Sequence, residues 1–198
     1  MPNAIIVQNK ELKYTEVPYV KPKAGEIRVK HSAIGVNYID IYHRTGLYTL
    51  VPPGIPGVEA TGYVEELGPG TEGFSVGDKV IYGTALGGGY STHNNVHQDI
   101  LIKVPFDINE ELLLALFMKG MTTHYLLCRV YYVLPENTIL VHSAAGGVGT
   151  YMCQWASTTG AKIIGTVSSD EKAKWAKDNG CTYVINTKKE NLVQRVLE

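Results

Sequence analysis

Residues 138–149 read TILVHSAAGGVG: a short apolar strand, Thr138 to His142, runs into a tight glycine turn, Ser143 to Gly149. Beyond the turn Val148, Met152, Trp155 and Ala156 recur at helical spacing, with Gly160 as the stop. A strand that turns through glycines into a helix aims backbone N–H groups and the positive end of the helix dipole at one point, where they can meet a phosphate. Glycine lets that phosphate come close. The pattern departs from a full G-x-G-x-x-G, since Ser143 and Ala145 stand at glycine positions and Gly146, Gly147 and Gly149 remain. A tight strand-to-helix connection without a ligand is therefore the competing reading.

Towards the C-terminus the alternation continues. Lys162 to Val167 is a second strand, and Ser168 with Glu171 reads as a capping box for a helix ending at Asn179-Gly180. Cys181 to Asn186 is a third strand, and Thr187 with Glu190 opens a last helix. Successive βαβ units of this kind begin a parallel, doubly wound sheet. Three parallel strands leave an edge that further strands normally cover. The expectation is a truncated or split version of something longer, with a homodimer or a complementing C-terminal fragment as partner.

The first hundred or so residues differ in character. Turn signals at Lys23-Ala24-Gly25, Pro52-Pro53-Gly54, Gly68-Pro69-Gly70, Gly77-Asp78 and Gly87-Gly88-Gly89 separate runs rich in Val, Ile and Tyr. Ile27 to Ile34, Ala60 to Leu67, Lys79 to Tyr82 and Ile100 to Val104 are the expected strands of a compact β domain. After Pro105, Asp107 with Glu110 makes a capping box for a helix over Glu110 to Met118, Gly120 interrupts it, and a second apolar helix runs from Thr123 to Val133. The domains expected are residues 1–123 and residues 124–198.

Composition narrows the function classes. The chain has 198 residues, 44% of them hydrophobic and 19% charged, which suits a globular protein with a real core. Its 18 basic and 19 acidic residues give a net charge of −1 without like-charge runs, which argues against a dedicated nucleic-acid binder. Asn137 to Ala161 lacks formally charged residues, but Ser143, Gly146, Gly147, Gly149, Thr150 and Gln154 interrupt it, against a membrane span. No N-terminal segment has the layout of a signal peptide, so the expected compartment is the cytoplasm. Cys128, Cys153 and Cys181 are odd in number and far apart, and read as buried thiols in a reducing environment.

The second strand bears on cofactor choice. An NAD site places Asp or Glu about 20 residues past the glycines, on the ribose 2′-hydroxyl. Here Val167 is followed by Ser168, Ser169 and then Lys172, residue types that suit a 2′-phosphate and so NADPH. Against this, Ser168 also reads as a helix N-cap, and Asp170 and Glu171 would repel phosphate.

These motifs together carry a resemblance. AIGVNYIDIYHRTGLY (Ala33 to Tyr48), PGVEATGYVEELGPG (Pro56 to Gly70), VGDKV (Val76 to Val80), MKGMTTHYLL (Met118 to Leu127) and SAAGGVG (Ser143 to Gly149), in that order, resemble the zinc-free, NADPH-dependent quinone oxidoreductases of the medium-chain dehydrogenase/reductase superfamily. The resemblance implies a mixed α/β fold, a GroES-like β domain followed by the first part of a Rossmann domain. It implies that Asn37, Tyr42 and Tyr48 face the nicotinamide and the substrate, and that Thr122 lies near the nicotinamide. Gly146, Gly147 and Val148 would hold the pyrophosphate, and Ser168 and Lys172 would meet the adenosine phosphate. Ordinary packing for the tyrosines and a self-satisfied turn for Asn37 stand as alternatives. A tyrosine that the family often places after the third strand is replaced by Thr187.

Zinc is argued against by the residues themselves. In the alcohol dehydrogenase branch a Cys and a His come from the segments that here read GVNYID and PGVEATG; Gly35 to Asp40 holds no Cys and Val58 occupies the histidine position. Glu59 alone is too few ligands for a catalytic zinc. The expected chemistry is then hydride transfer from NADPH to a small quinone without metal. An enoyl reductase would use the same machinery, and a truncated or split-gene remnant that binds cofactor weakly, or is inactive, is the non-enzyme alternative.

Overall fold

Alternation along Asn3–Gln8 and Glu11–Glu16 is weak, yet Asn9 and Lys10 both take positive φ (53° and 66°), the two-residue turn that closes a right-twisted hairpin. These are strands β1 and β2, paired antiparallel, and neither is among the strands expected from the sequence. The computed structural model describes residues 1–105 and 107–198. They form two units, Met1–Ala115 and Leu116–Glu198; the boundary expected at 123/124 and the one between 115 and 116 fall in the same helix.

The first unit continues with β3 (Glu26–Ile34), helix α1 (Ile39–Thr45), β4 (Glu59–Leu67), β5 (Lys79–Gly83), β6 (His93–His97) and β7 (Leu101–Lys103). A one-turn 3-10 helix, Gln98–Ile100, takes the residue at which the last strand was expected to start. The strands form an antiparallel sheet of order β6-β3-β4-β5-β7. Its apolar face packs Ile27, Val29, Ala60, Val64, Val80, Tyr82, Val96 and Leu101 into one core. Each buried aliphatic side chain there contributes about 1.5–3 kcal/mol relative to exposure.

Helix α2 (Glu110–Tyr125) runs unbroken through Gly120, where the sequence reading splits it, and passes into a π-helical stretch, Leu126–Val130. An internal glycine costs a helix only about 1 kcal/mol. The Thr122 hydroxyl, donating to the Met118 carbonyl at 2.7 Å, spans the same turn. The N-terminal cap is Asn109, not Asp107: Asn109 Oδ1 accepts the Leu112 N–H at 3.0 Å. Glu110 is used elsewhere, accepting the Tyr63 hydroxyl at 2.8 Å.

The second unit alternates β8 (Thr138–Val141), α3 (Gly147–Thr159), β9 (Lys162–Val167), α4 (Asp170–Asp178), β10 (Tyr183–Asn186) and α5 (Leu192–Leu197). Its strands pair in parallel in the order β10-β9-β8, with Leu140 opposite Ile164 and Ile185 opposite Thr166. The buried face of α3 is Gly149, Cys153 and Ala156; Trp155, expected on that face, is 41% exposed. Small residues at i, i+4 and i+7 let the helix lie close to the sheet. Of the three thiols, Cys153 and Cys181 are buried with their sulfurs 3.3 Å apart, and Cys128 is half-buried. Among the described residues no helix is long and apolar enough to cross a membrane.

The caps of the last two helices fall later in the chain than expected, by one residue and by four. Ser169, not Ser168, caps α4, its hydroxyl accepting the Lys172 N–H at 3.3 Å. Asn191, not Thr187, caps α5, accepting the Gln194 N–H at 3.1 Å. Glu190 instead takes the Asn186 N–H at 2.8 Å. Ser169→Ala is expected to destabilise the chain by about 1 kcal/mol in urea unfolding, and Ser168→Ala by under about 0.5 kcal/mol. The reverse ranking would return the cap to Ser168.

Candidate functional site

In the second unit the glycine turn is built from its neighbours inward. Ser143 N–H donates to Thr166 Oγ1 at 3.1 Å and Ala144 N–H to the Thr166 carbonyl at 2.9 Å, which ties the turn to the end of β9. Ser143 has a positive φ of 52°, and its carbonyl accepts the Gly146 N–H at 2.7 Å. At Gly149 a side chain is impossible without rearrangement, because a Cβ would stand 2.2 Å from the Ser143 carbonyl oxygen.

The electrostatics of the turn differ from those of its sister helices. Gly146 is the N-cap of α3 with no side-chain acceptor, and the first turn holds no acidic residue. Helices α4 and α5 have side-chain caps, and α4 begins with Asp170 and Glu171. The positive end of α3, with Gly146 and Gly147 exposed and Val148 half-buried, therefore keeps its first-turn N–H groups for an outside anion. Lys119 on α2 adds a cation: its aliphatic stem passes 3.1 Å from where a Gly147 Cβ would be. Sequence reasoning missed Lys119 because it comes from another helix. Thr122, one turn along α2, is half-buried.

Ser168 and Lys172 are both exposed at the C-terminal end of β9 and the first turn of α4. Of the two acids set against a phosphate there, Asp170 is already matched, whereas Glu171 lines the same cavity as Lys172. Asp170 accepts from Lys189 Nζ and from Asn186 Nδ2 at 2.9 Å, and the Lys189 ammonium holds its carboxyl below the usual carboxylate range. Ala145, Lys172 and Trp175 line a shallow cavity of about 410 Å³ beside the turn. Trp175 Nε1–H donates to Thr150 Oγ1 at 3.1 Å and so ties α4 to α3.

The first unit carries the other group of expected residues. Gly46, with φ 81°, ends α1 and reverses the chain, so the Leu47 and Tyr48 N–H groups both return to the Tyr42 carbonyl, at 3.0 and 3.3 Å. Tyr48 thereby meets Tyr42 edge-on at 5.5 Å between ring centres, and Tyr42 meets Tyr38 at 5.3 Å. Tyr48 stays 48% exposed, so a ring and a hydroxyl face outward. Tyr42 is half-buried.

Asn37 enters a buried polar network that the sequence reading did not assemble. Its Nδ2–H donates to Glu59 Oε1 at 2.7 Å and its backbone N–H to Asp40 Oδ2 at 2.8 Å. The Tyr90 hydroxyl donates to the same Asp40 oxygen at 2.8 Å; burial and this carboxylate push the phenol pKa up. Asn37 is thus no self-satisfied turn residue. The signal available in the sequence was Glu59 itself, an acid inside the apolar run Pro56 to Gly62. His93 and His97 find separate acids, Glu65 at 3.4 Å and Asp99 at 3.3 Å. Among the described residues no group of three or more His, Cys, Asp or Glu could hold a metal ion.

The chain is similar to known proteins over most of its length. Residues 23–106 match the alcohol dehydrogenase GroES-like domain and residues 147–198 the zinc-binding dehydrogenase family. A quinone oxidoreductase of Salmonella typhimurium is 45% identical over 190 residues, 94% of this chain and 58% of that protein. A 2-haloacrylate reductase of a Burkholderia species is 41% identical over 191 residues, 93% of this chain and 57% of that protein. The crystal structure of Escherichia coli quinone oxidoreductase complexed with NADPH superposes with a TM-score of 0.90 at 39% identity, covering 98% of this chain and 61% of that one. The chain therefore spans somewhat under two thirds of the length of these relatives.

Proposed function

We propose that this chain, similar to the quinone oxidoreductases of the medium-chain dehydrogenase/reductase superfamily, binds NADPH and serves metal-free hydride transfer to a small quinone. The observation that carries the reading is the glycine turn, whose helix has neither a side-chain cap nor an acid at its positive end. A helix end left in that state is built for an anion.

Bound NADPH would supply a hydride from its nicotinamide ring. The chain's own residues bind and orient. Gly146, Gly147 and Val148 hold the pyrophosphate at the positive end of α3, with the Gly147 and Val148 N–H groups as donors, while Ser168 and Lys172 meet the 2′-phosphate. Lys189 keeps the Asp170 charge occupied. Hydrogen bonds to a charged group are worth about 1.5–3 kcal/mol each, so two such contacts favour NADPH over NADH by about a hundredfold or more. By the resemblance, Thr122 would lie near the nicotinamide, and Asn37, Tyr42 and Tyr48 would face the nicotinamide and the acceptor. The tyrosine rings shape the pocket and polarise the acceptor carbonyl; its proton comes from water or a nearby hydroxyl.

The name of the Burkholderia relative favours a second acceptor class, a carbon–carbon double bond made electron-poor by a neighbouring carboxyl. The same residues serve either acceptor, so assays with p-benzoquinone and with 2-chloroacrylate separate the two. Titration of the purified chain with NADPH and NADH, followed by NADPH consumption with each acceptor, tests the reading. Tighter binding of NADPH and turnover with quinone are expected, and Tyr48→Phe should keep more than about a tenth of the activity. Absence of NADPH binding would overturn the proposal, and complete loss in Tyr48→Phe would make that hydroxyl an essential acid.

A further inference from the structure

We infer that Glu59 is a positioning residue for Asn37: its buried carboxylate fixes the Asn37 carboxamide in one of its two orientations. The inference rests on the reading of Asn37 as a residue facing the nicotinamide and the acceptor. Glu59 sits at the start of β4 with no exposed surface, and its Oε1 lies 2.7 Å from Asn37 Nδ2. In this contact the Asn37 Nδ2–H donates and the Glu59 carboxyl oxygen accepts, so the group facing Oε1 is a donor. Flipping the amide would set Oδ1 against Oε1, two acceptors at hydrogen-bond distance in a buried place, where an unmet polar group costs about 1–3 kcal/mol. Asn37 therefore presents its Oδ1 and its second N–H in a set direction.

The surrounding residues are arranged around that contact. Gly35 has room for no Cβ, which would stand 2.3 Å from Glu59 Cγ and Oε1. The Gly35 N–H donates to the Glu59 carbonyl at 3.1 Å, which fixes the backbone that carries the carboxylate. Asp40, held by Tyr90, takes the Asn37 backbone N–H, so main chain and side chain of one asparagine are each gripped by a buried acid. A turn asparagine with only a local role bonds its own backbone. This one reaches a residue 22 positions away.

Glu59→Gln keeps the shape but offers both a donor and an acceptor, so either Asn37 orientation finds a partner. In the ¹⁵N-labelled full chain, the Asn37 side-chain amide pair is assigned by its disappearance in Asn37→Asp. In the wild type, one of its two protons is expected to exchange with water about tenfold more slowly than the other, as a hydrogen-bonded proton does. In Glu59→Gln the pair should move and this difference should shrink. With NADPH and quinone, Glu59→Gln should lower kcat about tenfold while leaving the NADPH Kd within about twofold, and should add nothing in the Asn37→Ala background. Equal exchange of the two wild-type protons, an unmoved pair in Glu59→Gln, or additive losses would overturn the inference. If the wild type turns over no acceptor, the functional reading fails while the amide signals still decide the role of Glu59. If Glu59→Gln does not fold, the wild-type exchange measurement decides alone.

Discussion

Gly149→Ala is expected to destabilise the second unit by about 3 kcal/mol or more and to abolish NADPH binding with it. In an open helix the change would stabilise, since alanine is favoured over glycine by about 1 kcal/mol. At this position the new Cβ would meet the Ser143 carbonyl oxygen at 2.2 Å and Ala144 Cα at 2.9 Å, both backbone atoms that cannot swing aside. The Ser143 carbonyl also accepts the Gly146 N–H, and Ser143 and Ala144 are anchored to Thr166. Relief of the clash must therefore pull the turn off β9 or α3 off the sheet. Both tryptophans, Trp155 and Trp175, belong to this unit, so urea unfolding followed by their fluorescence reports on it directly. Gly120→Ala is the control, because a Cβ there meets nothing within 4 Å. An unchanged midpoint for Gly149→Ala would mean that the turn is loose, and the phosphate reading would lose its structural basis.

Where a pattern is carried by the element itself, the sequence was sufficient. Strands β3, β4, β5 and β9 lie within a residue or so of the expected bounds, because alternating or continuous aliphatic runs between turn residues have few other solutions. Strand β6 reads HNNVH with only Val96 buried; what makes it a strand is the free edge of β3, which no local pattern reports. Helix α1 hides its reason in the same way, since its buried residues are Asp40 and His43 rather than an apolar stripe. Its start is set by the Asp40 carboxylate reaching back to the Asn37 N–H.

The candidate site divides along the same line. The glycine turn and the Ser168 to Lys172 segment are contiguous, so their chemistry could be read in place. Glu59, Tyr90 and Lys189 act on residues 22, 50 and 19 positions away, and only the paired strands bring those partners together. Lys189 also shows why local charge misleads. Asp170 looked hostile to a phosphate until the fold supplied its counter-ion.

Lowering the pH from 7 to 4 is expected to remove about 3 kcal/mol of stability through one half-buried histidine. His31 on β3 stands in a chain of hydrogen bonds: its Nδ1–H donates to the Ser91 carbonyl at 2.6 Å, and its Nε2 accepts the Tyr82 hydroxyl at 3.0 Å. The Tyr82 oxygen in turn accepts from Asn94 Nδ2 at 3.1 Å. This arrangement uses the neutral ring, with one nitrogen as donor and the other as acceptor. Burial, helped by nearby His93 and opposed by the Ser91 carbonyl, lowers the His31 pKa to about 4 from the ordinary 6.5. The unfolded chain therefore binds a proton that the folded chain refuses between pH 6.5 and 4. Stability is unaffected above pH 6.5, falls as pH drops through that window, and the loss is complete below about 4; 2.5 units at 1.36 kcal/mol each give the magnitude. His93, lowered by burial and partly restored by Glu65, adds a smaller slope of the same sign. His31→Gln, whose amide can still donate and accept, should flatten most of the slope when urea unfolding by circular dichroism is repeated across that range. If the two slopes coincide, the ring is already accessible to protons in the folded chain, and the chain of bonds from Asn94 to Ser91 does not persist in solution.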